Sequence, residues 1–382
     1  MKIGIDIRTL MGKEYSGVEE YTYNLVKEIL RLDKNNEYKL FYNSYSDVSH
    51  RIPKFEGANI EIINTRYPNK IFNYIMQKIF SWPKIDKVLG GVDIFWSPHI
   101  NFTTLSKECY NVLTICDLSF LLYPDFFNLR KRLWHNIINV RNLISRFDKI
   151  IAISENTKND IKELSGVDER KIKLIYPGIS NKYKIIEIND IGLREVKKKY
   201  KLGDKFILFI STLEPRKNIV GIIKAYNKLR AEKNEFHEIK LIIAGKRGWK
   251  DKSIFKEWQK SKYKNDINFL GYIPNKDKVS LYNLASVFIY TSFYEGFGFP
   301  PLEAMACGTP VIASYSSSLS EALGKAALMV DPYNTKDISQ AIKLIIGDHK
   351  LRGFLIESGL ARAGKFTWEI AAKKYIDIFN KK

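Results

Sequence analysis

Short apolar runs alternate with amphipathic stretches along almost the whole of this chain, and that alternation limits the fold more than any other feature. A strand-length apolar run, a turn-forming loop and then a helical pattern, repeated, is what βαβ units around parallel sheets require, so the expected class is α/β. The first series reads as strands at "MKIGIDI", "YKLFYN", "IEIINT", "DIFWSP", "NVLTIC", "KIIAIS" and "KIKLIY". "YPGIS" at 176–180 breaks it, and the charge-dense stretch from Asn181 to Lys201 reads as a linker and then a helix. A second series opens at "KFILFIS" and continues with "KLIIAG", "INFLGY", "VFIYTS", "TPVIAS" and "ALMVD". Two doubly wound, Rossmann-like domains in tandem are expected, at 1–180 and 181–365, and 382 residues with a 45% hydrophobic fraction can fill two cores. Open parallel sheets bind ligands at the carboxyl ends of their strands, so the chemistry is sought in the strand-end loops and the cleft between the domains.

Composition removes several classes. No run approaches about 18 consecutive apolar residues, because Lys, Arg, Asn or Asp interrupts each one, and a membrane-spanning helix is not expected. The opening "MKIGIDIRTL" reads as a strand meeting a polar loop rather than a leader, which points to a cytoplasmic chain, soluble or peripheral. Cys109, Cys116 and Cys307 are widely spaced and odd in number, which fits a reducing compartment without disulfides and offers no zinc spacing. The charge is the outlier. A formal +20 predicts attraction to phosphate-rich partners: nucleotide diphosphates, anionic lipid or nucleic acid. A Lys-, Ile- and Asn-rich genomic composition would give the same charge, and no zinc pattern, RNP-type aromatic strand or basic zipper supports nucleic-acid recognition.

Two strand-end loops stand out. "YEGFGFPPLEAMACGTPVIAS" at 294–314 sets Glu295 in the loop after "VFIYTS", and Glu303 in the first turn of a helix opened by Pro300 and Pro301 and ended at Gly308. Gly296 and Gly298 keep Cβ atoms out of the loop, letting backbone N–H groups approach a ligand, and a helix N-terminus favours phosphate oxygens. The plain alternatives are a glutamate favoured by the helix dipole and a solvated loop glutamate. "STLEPRKN" at 211–218 brings Arg216 and Lys217 to another strand end, where a planar fork and a mobile point charge could clamp a diphosphate. A solvated surface pair is the plain alternative there.

Together with "AGKRGW" at 244–249 and "FLGYIP" at 269–274, these loops resemble the retaining glycosyltransferases of family 4, which have the GT-B fold. The Glu-x7-Glu spacing of "EGFGFPPLE" is the specific element. Looser matches run through the first half at "SGVEEYTYNL", "WSPHIN", "DLSFLLYPDFF", "IIAISENTKNDI" and "IYPGI". "FTWEIAAKKYIDIF" is similar to the family's C-terminal helix, which implies that 366–382 packs back on the first domain.

The resemblance implies an enzyme that moves a hexose from a nucleotide-diphosphate sugar to a saccharide or lipid-linked saccharide, with retention and with no metal or other cofactor. It implies that Glu295 contacts the transferred sugar and Glu303 the nucleotide ribose, and that backbone N–H groups from Gly296, Phe297, Gly298 and Phe299 hold the sugar and diphosphate. Arg216 and Lys217 would neutralise the departing diphosphate where other sugar transferases use a divalent cation. Gly245 and Lys246 of "AGKRGW" join the donor-binding set, Tyr272 and Ile273 border the nucleobase, and Gly17 and Asp117 serve the diphosphate and acceptor side. Mannosyltransferase-like motifs favour GDP-mannose over a UDP-sugar. Two positions depart from the family: Cys116 precedes Asp117 where a sugar-contacting His is usual, and Ser211 replaces a frequent Gly. A catalytically weakened nucleotide-sugar-binding relative is the competing reading. A phosphorylase would need a lysine motif that is absent, an epimerase would not carry the glutamate pair, and Cys116 has no neighbouring His to make it a nucleophile.

Two stretches of the first domain, 66–87 and 126–146, mix aromatics with cations. Helical spacing gathers Phe72, Ile75, Ile79 and Trp82, with Lys70, Lys78 and Lys84 flanking, which is the layout of an interfacial helix. With a lipid-linked acceptor such a surface would bring the chain to an anionic membrane; core packing of the same face is the alternative.

Overall fold

The computed structural model describes residues 1–187, 189–232 and 236–381; Ile188 of the Asn181–Lys201 stretch and Lys382 of the C-terminal segment lie outside the described residues. The chain divides into two compact units, one of Met1–Leu118, Arg130–Gly178 and Thr367–Lys382, the other of Ser119–Leu129 and Ile179–Phe366. The split near 180 therefore has an exception that a contiguous reading does not express. Residues 119–129 belong with the second unit because their aromatics pack there: Phe126 stacks on Phe293 at 5.8 Å, and Phe127 on Trp249 at 5.8 Å.

The first unit is built on a seven-stranded sheet with the order β3-β2-β1-β4-β5-β6-β7, comprising β1 (Lys2–Asp6), β2 (Glu37–Tyr42), β3 (Ile60–Asn64), β4 (Ile94–Ser97), β5 (Tyr110–Ile115), β6 (Lys149–Ala152) and β7 (Ile172–Leu174). The second carries a six-stranded sheet with the order β10-β9-β8-β11-β12-β13, comprising β8 (Phe206–Ile210), β9 (Lys240–Ala244), β10 (Ile267–Gly271), β11 (Val287–Tyr290), β12 (Val311–Ser314) and β13 (Leu328–Val330). Every pairing is parallel. Each apolar run read as a strand is one. The reason is visible in β8 and β11, which are buried at every position, as a parallel sheet covered on both faces demands. Strand order reverses between β1 and β4 in one sheet and between β8 and β11 in the other, and these switch points open a crevice at the strand ends.

In the first unit the helix Gly17–Leu32 packs against the helix Trp368–Asn380. The Tyr375 hydroxyl lies 2.8 Å from that of Tyr21 and 2.6 Å from Thr114 Oγ1, and its ring is 4.8 Å from that of Trp96, so the C-terminal helix closes this unit's core. The apolar face expected around 72–82 is divided. Ile71–Phe80 is one helical segment with π-type hydrogen bonding, from which Phe72 enters the core beside Phe41, while Ile75, Ile79 and the following Trp82 stay exposed. Among the described residues no helix is long and apolar enough to cross a membrane, and the three cysteines are unbridged.

Candidate active site

After β8 the chain turns at Pro215–Lys217, and Asn218, left-handed at φ 55°, leads into the helix Ile219–Ala231. After β11 comes the loop that reaches Gly298. The Phe293 N–H donates to the Arg216 carbonyl at 2.9 Å and ties the two loops together across the β8/β11 switch point. Glu295 is held at its backbone from the other side: its N–H donates to Ser317 Oγ, and its carbonyl accepts from Ser318 Oγ, both at 2.8 Å.

On this frame the three expected catalytic side chains meet. Arg216 Nη1 donates to Glu295 Oε2 at 3.0 Å and to the Tyr294 carbonyl at 2.9 Å. Lys217 Nζ donates to Glu295 Oε1 at 2.6 Å and to the Tyr290 hydroxyl at 2.8 Å. Each oxygen of one carboxylate therefore faces a different cation. Glu214 accepts two further Arg216 N–H groups at 3.1 and 2.9 Å. Glu214 and Tyr290 escaped the sequence reading; the acid-x-Arg spacing of "EPR" flags the first, whereas the second is only the last residue of an apolar strand.

Burial alone would raise the Glu295 carboxyl, but Arg216 and Lys217 outweigh it and bring it down to about 2. Burial and Arg216 push Lys217 down, yet Glu295, Tyr290 and Glu214 leave it above its ordinary value. Glu295 is thus ionised and Lys217 protonated at neutral pH. The solvated surface pair offered for Arg216 and Lys217 is not what forms: their side chains are 15% and 7% exposed.

The helix after the loop is Phe299–Ala306, so it starts ahead of Pro300 and Pro301, and Glu303 stands in its second turn rather than its first. Gly298 makes the early start possible. At φ 98° it adopts a conformation open to glycine, and a Cβ there would sit 2.5 Å from Leu319 Cδ2. Glu303 is half-buried and accepts the Tyr282 hydroxyl at 2.8 Å, a partner from a different helix that no local pattern announces. The β8 and β9 ends are also laced: the Leu213 N–H donates to the Lys246 carbonyl at 2.9 Å, and Gly245, at φ 139°, lies so close to Ser211 that a Cβ would meet its carbonyl oxygen at 1.8 Å. Among the described residues no group of three or more His, Cys, Asp or Glu side chains is placed to hold a metal ion.

Comparison with known proteins identifies the family and the fold. Residues 193–362 match the family model described as glycosyl transferases group 1, and residues 15–182 match that of glycosyltransferase family 4. The O-antigen chain mannosyltransferase B of Escherichia coli is 33% identical over 95% of this chain and 96% of its own length. The chain is a family 4 glycosyltransferase. It is also 28% identical, over 75% of its length, to the serotype-specific mannosyltransferase WbdA of E. coli, of which it spans only 36%. Among solved structures, HepE of Anabaena in complex with UDP and glucose aligns over 100% of both chains with a TM-score of 0.74 at 17% identity. The sucrose-phosphate synthase of Thermosynechococcus elongatus aligns over 100% of this chain and 98% of its own, with a TM-score of 0.76 at 16% identity. At such identities the common property is the fold, GT-B.

The other expected site residues of this glycosyltransferase are distributed unevenly. Gly296, Phe297 and Gly298 are buried, and the Phe297 ring packs on Phe299 and Phe366 at 5.6 and 5.3 Å, which leaves only its backbone to meet a ligand. Lys246 is exposed beside the Arg216 loop. Tyr272 is exposed, whereas Ile273 is a core residue. Gly17 and Asp117 belong to the first unit, where a Cβ on Gly17 would meet nothing within 4 Å, so no steric demand explains that glycine. The Cys116 thiol is pushed up to about 12 by burial, then by Asp117 and Glu19, so it is a protonated side chain and no nucleophile.

Proposed function

We propose that this glycosyltransferase moves a hexose, mannose before others, from a nucleotide-diphosphate sugar to a saccharide or lipid-linked saccharide of a surface polysaccharide, with retention of anomeric configuration and without a metal ion. The observation that carries the reading is the carboxylate with a cation on each oxygen at the β8/β11 switch point. Transfer breaks the bond between C1 and the diphosphate oxygen as the acceptor hydroxyl oxygen bonds to C1 from the same face. The acceptor proton passes to the leaving phosphate oxygen. Negative charge then grows on the diphosphate, and Arg216 and Lys217, already fixed and largely out of water, are suited to meet it without reorganising. Lys217 has three N–H donors and uses two on Glu295 and Tyr290, which reserves the third for a phosphate oxygen. Glu295 holds both cations and offers acceptor oxygens to sugar hydroxyls; Glu303 does the latter for the ribose.

The names of the E. coli relatives support mannose, and with it GDP as the carrier. A second reading, a UDP-sugar donor, is supported by HepE, which was solved with UDP and glucose. A thermal-shift series with EDTA present, against GDP, UDP, ADP and their sugar conjugates, decides between them. A ligand at 100 times its dissociation constant raises stability by about 2.7 kcal/mol. Stabilisation by one nucleotide diphosphate, lost in Glu303→Ala, is the expected result, and turnover with that donor in EDTA, followed by NMR of the product's anomeric proton, tests retention and metal independence. A flat response to every nucleotide would overturn the reading.

A further inference from the structure

Pro124 opens a single turn of 3-10 helix, Pro124–Phe126, closed by the Phe126 N–H donating to the Tyr123 carbonyl at 3.1 Å. Such a turn eclipses side chains three residues apart, so the Tyr123 and Phe126 rings leave it together, stacked 5.4 Å apart at 20°. Two carbonyls fasten the turn to the second unit. Trp249 Nε1 donates to that of Phe126 and Lys250 Nζ to that of Asp125, both at 2.6 Å. The rings then meet the two residues before Glu295: Phe126 stacks on Phe293 at 5.8 Å and 16°, and Tyr123 leans on Tyr294 at 5.6 Å. Tyr333 sets a second ring against Phe293 at 4.8 Å.

Aromatic packing can serve stability alone. Here it falls on the two residues whose main chains hold Arg216: the Phe293 N–H donates to the Arg216 carbonyl, and the Tyr294 carbonyl accepts from Arg216 Nη1, both at 2.9 Å. Arg216 and Glu295 sit on loops, which keep a geometry less tightly than strands or helices do, so an outside support has something to supply. We propose that Tyr123 and Phe126 are positioning residues for sugar transfer, a strap that fixes Arg216 through Tyr294 and Phe293. The inference rests on the reading of Arg216 as a cation that meets the leaving diphosphate. The strap interrupts the first unit's sequence between Leu118 and Arg130, so a segment from the first half of the chain sets the geometry of a charge cluster built by the second.

The test compares variants of the full chain by GDP release from GDP-mannose with methyl α-mannoside as acceptor, or by UDP release from UDP-glucose where the thermal-shift series selects UDP. Phe126→Ala should lower kcat about 10- to 100-fold with little change in donor KM, as a misplacement of about 1 Å does. Phe126→Tyr keeps the ring and should keep the parent kcat. Phe126→Leu retains bulk without the stack and should also be slow, which settles the question where the alanine variant does not fold. Arg216→Ala combined with Phe126→Ala should lose less than the product of the two single losses, because the strap acts through the arginine. A ring that only stabilises would lower the thermal midpoint, leave kcat per folded molecule unchanged in both Phe126→Ala and Phe126→Leu, and overturn the proposal. So would losses that multiply. A slow Arg216→Ala beside an unchanged Phe126→Ala removes the strap alone, whereas unchanged turnover in Arg216→Ala removes the reading beneath it as well.

Discussion

At its switch point each sheet carries an acid, one intervening residue and an arginine: Asp6, Ile7 and Arg8 at β1, and Glu214, Pro215 and Arg216 after β8. In both, the guanidinium bonds the acid two residues back, yet the two pairs differ in the company the arginine keeps. Arg8 donates to Asp6 at 2.9 and 2.6 Å and spends further N–H groups on Asn73 Oδ1 at 3.2 Å and the Phe102 carbonyl at 3.0 Å, with its side chain 4% exposed. It is a strut. Arg216 is joined by a second cation and a second carboxylate, all at the strand ends where a ligand arrives. Spacing alone does not separate a structural arginine from a chemical one; the second cation and the second carboxylate beside Arg216 do.

Four experiments press on that contrast. The largest effect should come from Arg8→Met, which leaves Asp6 buried without its partner and should cost about 3–5 kcal/mol of stability, roughly 10 °C of thermal midpoint, with turnover per folded molecule unchanged. Replacing both residues, Asp6→Leu with Arg8→Met, should restore most of the midpoint in a melting scan. Next, Lys217→Ala or Arg216→Ala should lower kcat by roughly 100- to 1000-fold, about 3–4 kcal/mol, by the transition-state charge left unmet. Equal turnover losses from Arg8→Met and Lys217→Ala would erase the distinction between the two pairs.

The third concerns pH. Glu295 titrates at about 2 in the folded chain against 4.5 for an ordinary glutamate, so its contribution, about 3 kcal/mol, is fully present above pH 4.5 and is lost as the pH falls toward 2. Urea unfolding from pH 7 down to 3 should show that slope, and Glu295→Gln should flatten it. The smallest effect is Gly17→Ala, expected to change the melting temperature by less than about 1 °C because the space is open, while Gly298→Ala should cost about 1–3 kcal/mol by strain at φ 98°. Donor KM for the two variants, measured beside melting, tells whether Gly17 serves a ligand.

Strand identity was legible throughout because a buried parallel strand must be apolar at consecutive positions, a demand met within a few residues of sequence. The meeting of Arg216, Lys217 and Glu295 was legible only as three strand-end residues, and the sheet order converts that into contact. Glu303 falls in the second turn rather than the first because the helix start depends on the left-handed Gly298, not on the two prolines after it. Tyr282, Tyr290 and the departure of Phe72 from its apolar neighbours depend on packing between distant elements, which leaves no local periodicity to read.

Tyr375, wedged against Trp96 and bonded to Tyr21 and Thr114, gives the first unit a long wait during synthesis. A ribosome adding about 5–20 residues per second delivers Tyr375 roughly 10–40 s after Gly178. Throughout that interval the first unit has its whole sheet sequence but an open flank, and the second unit is emerging complete. The half of the chain made first is therefore the half finished last, and it is the one that a holding chaperone would have to shield.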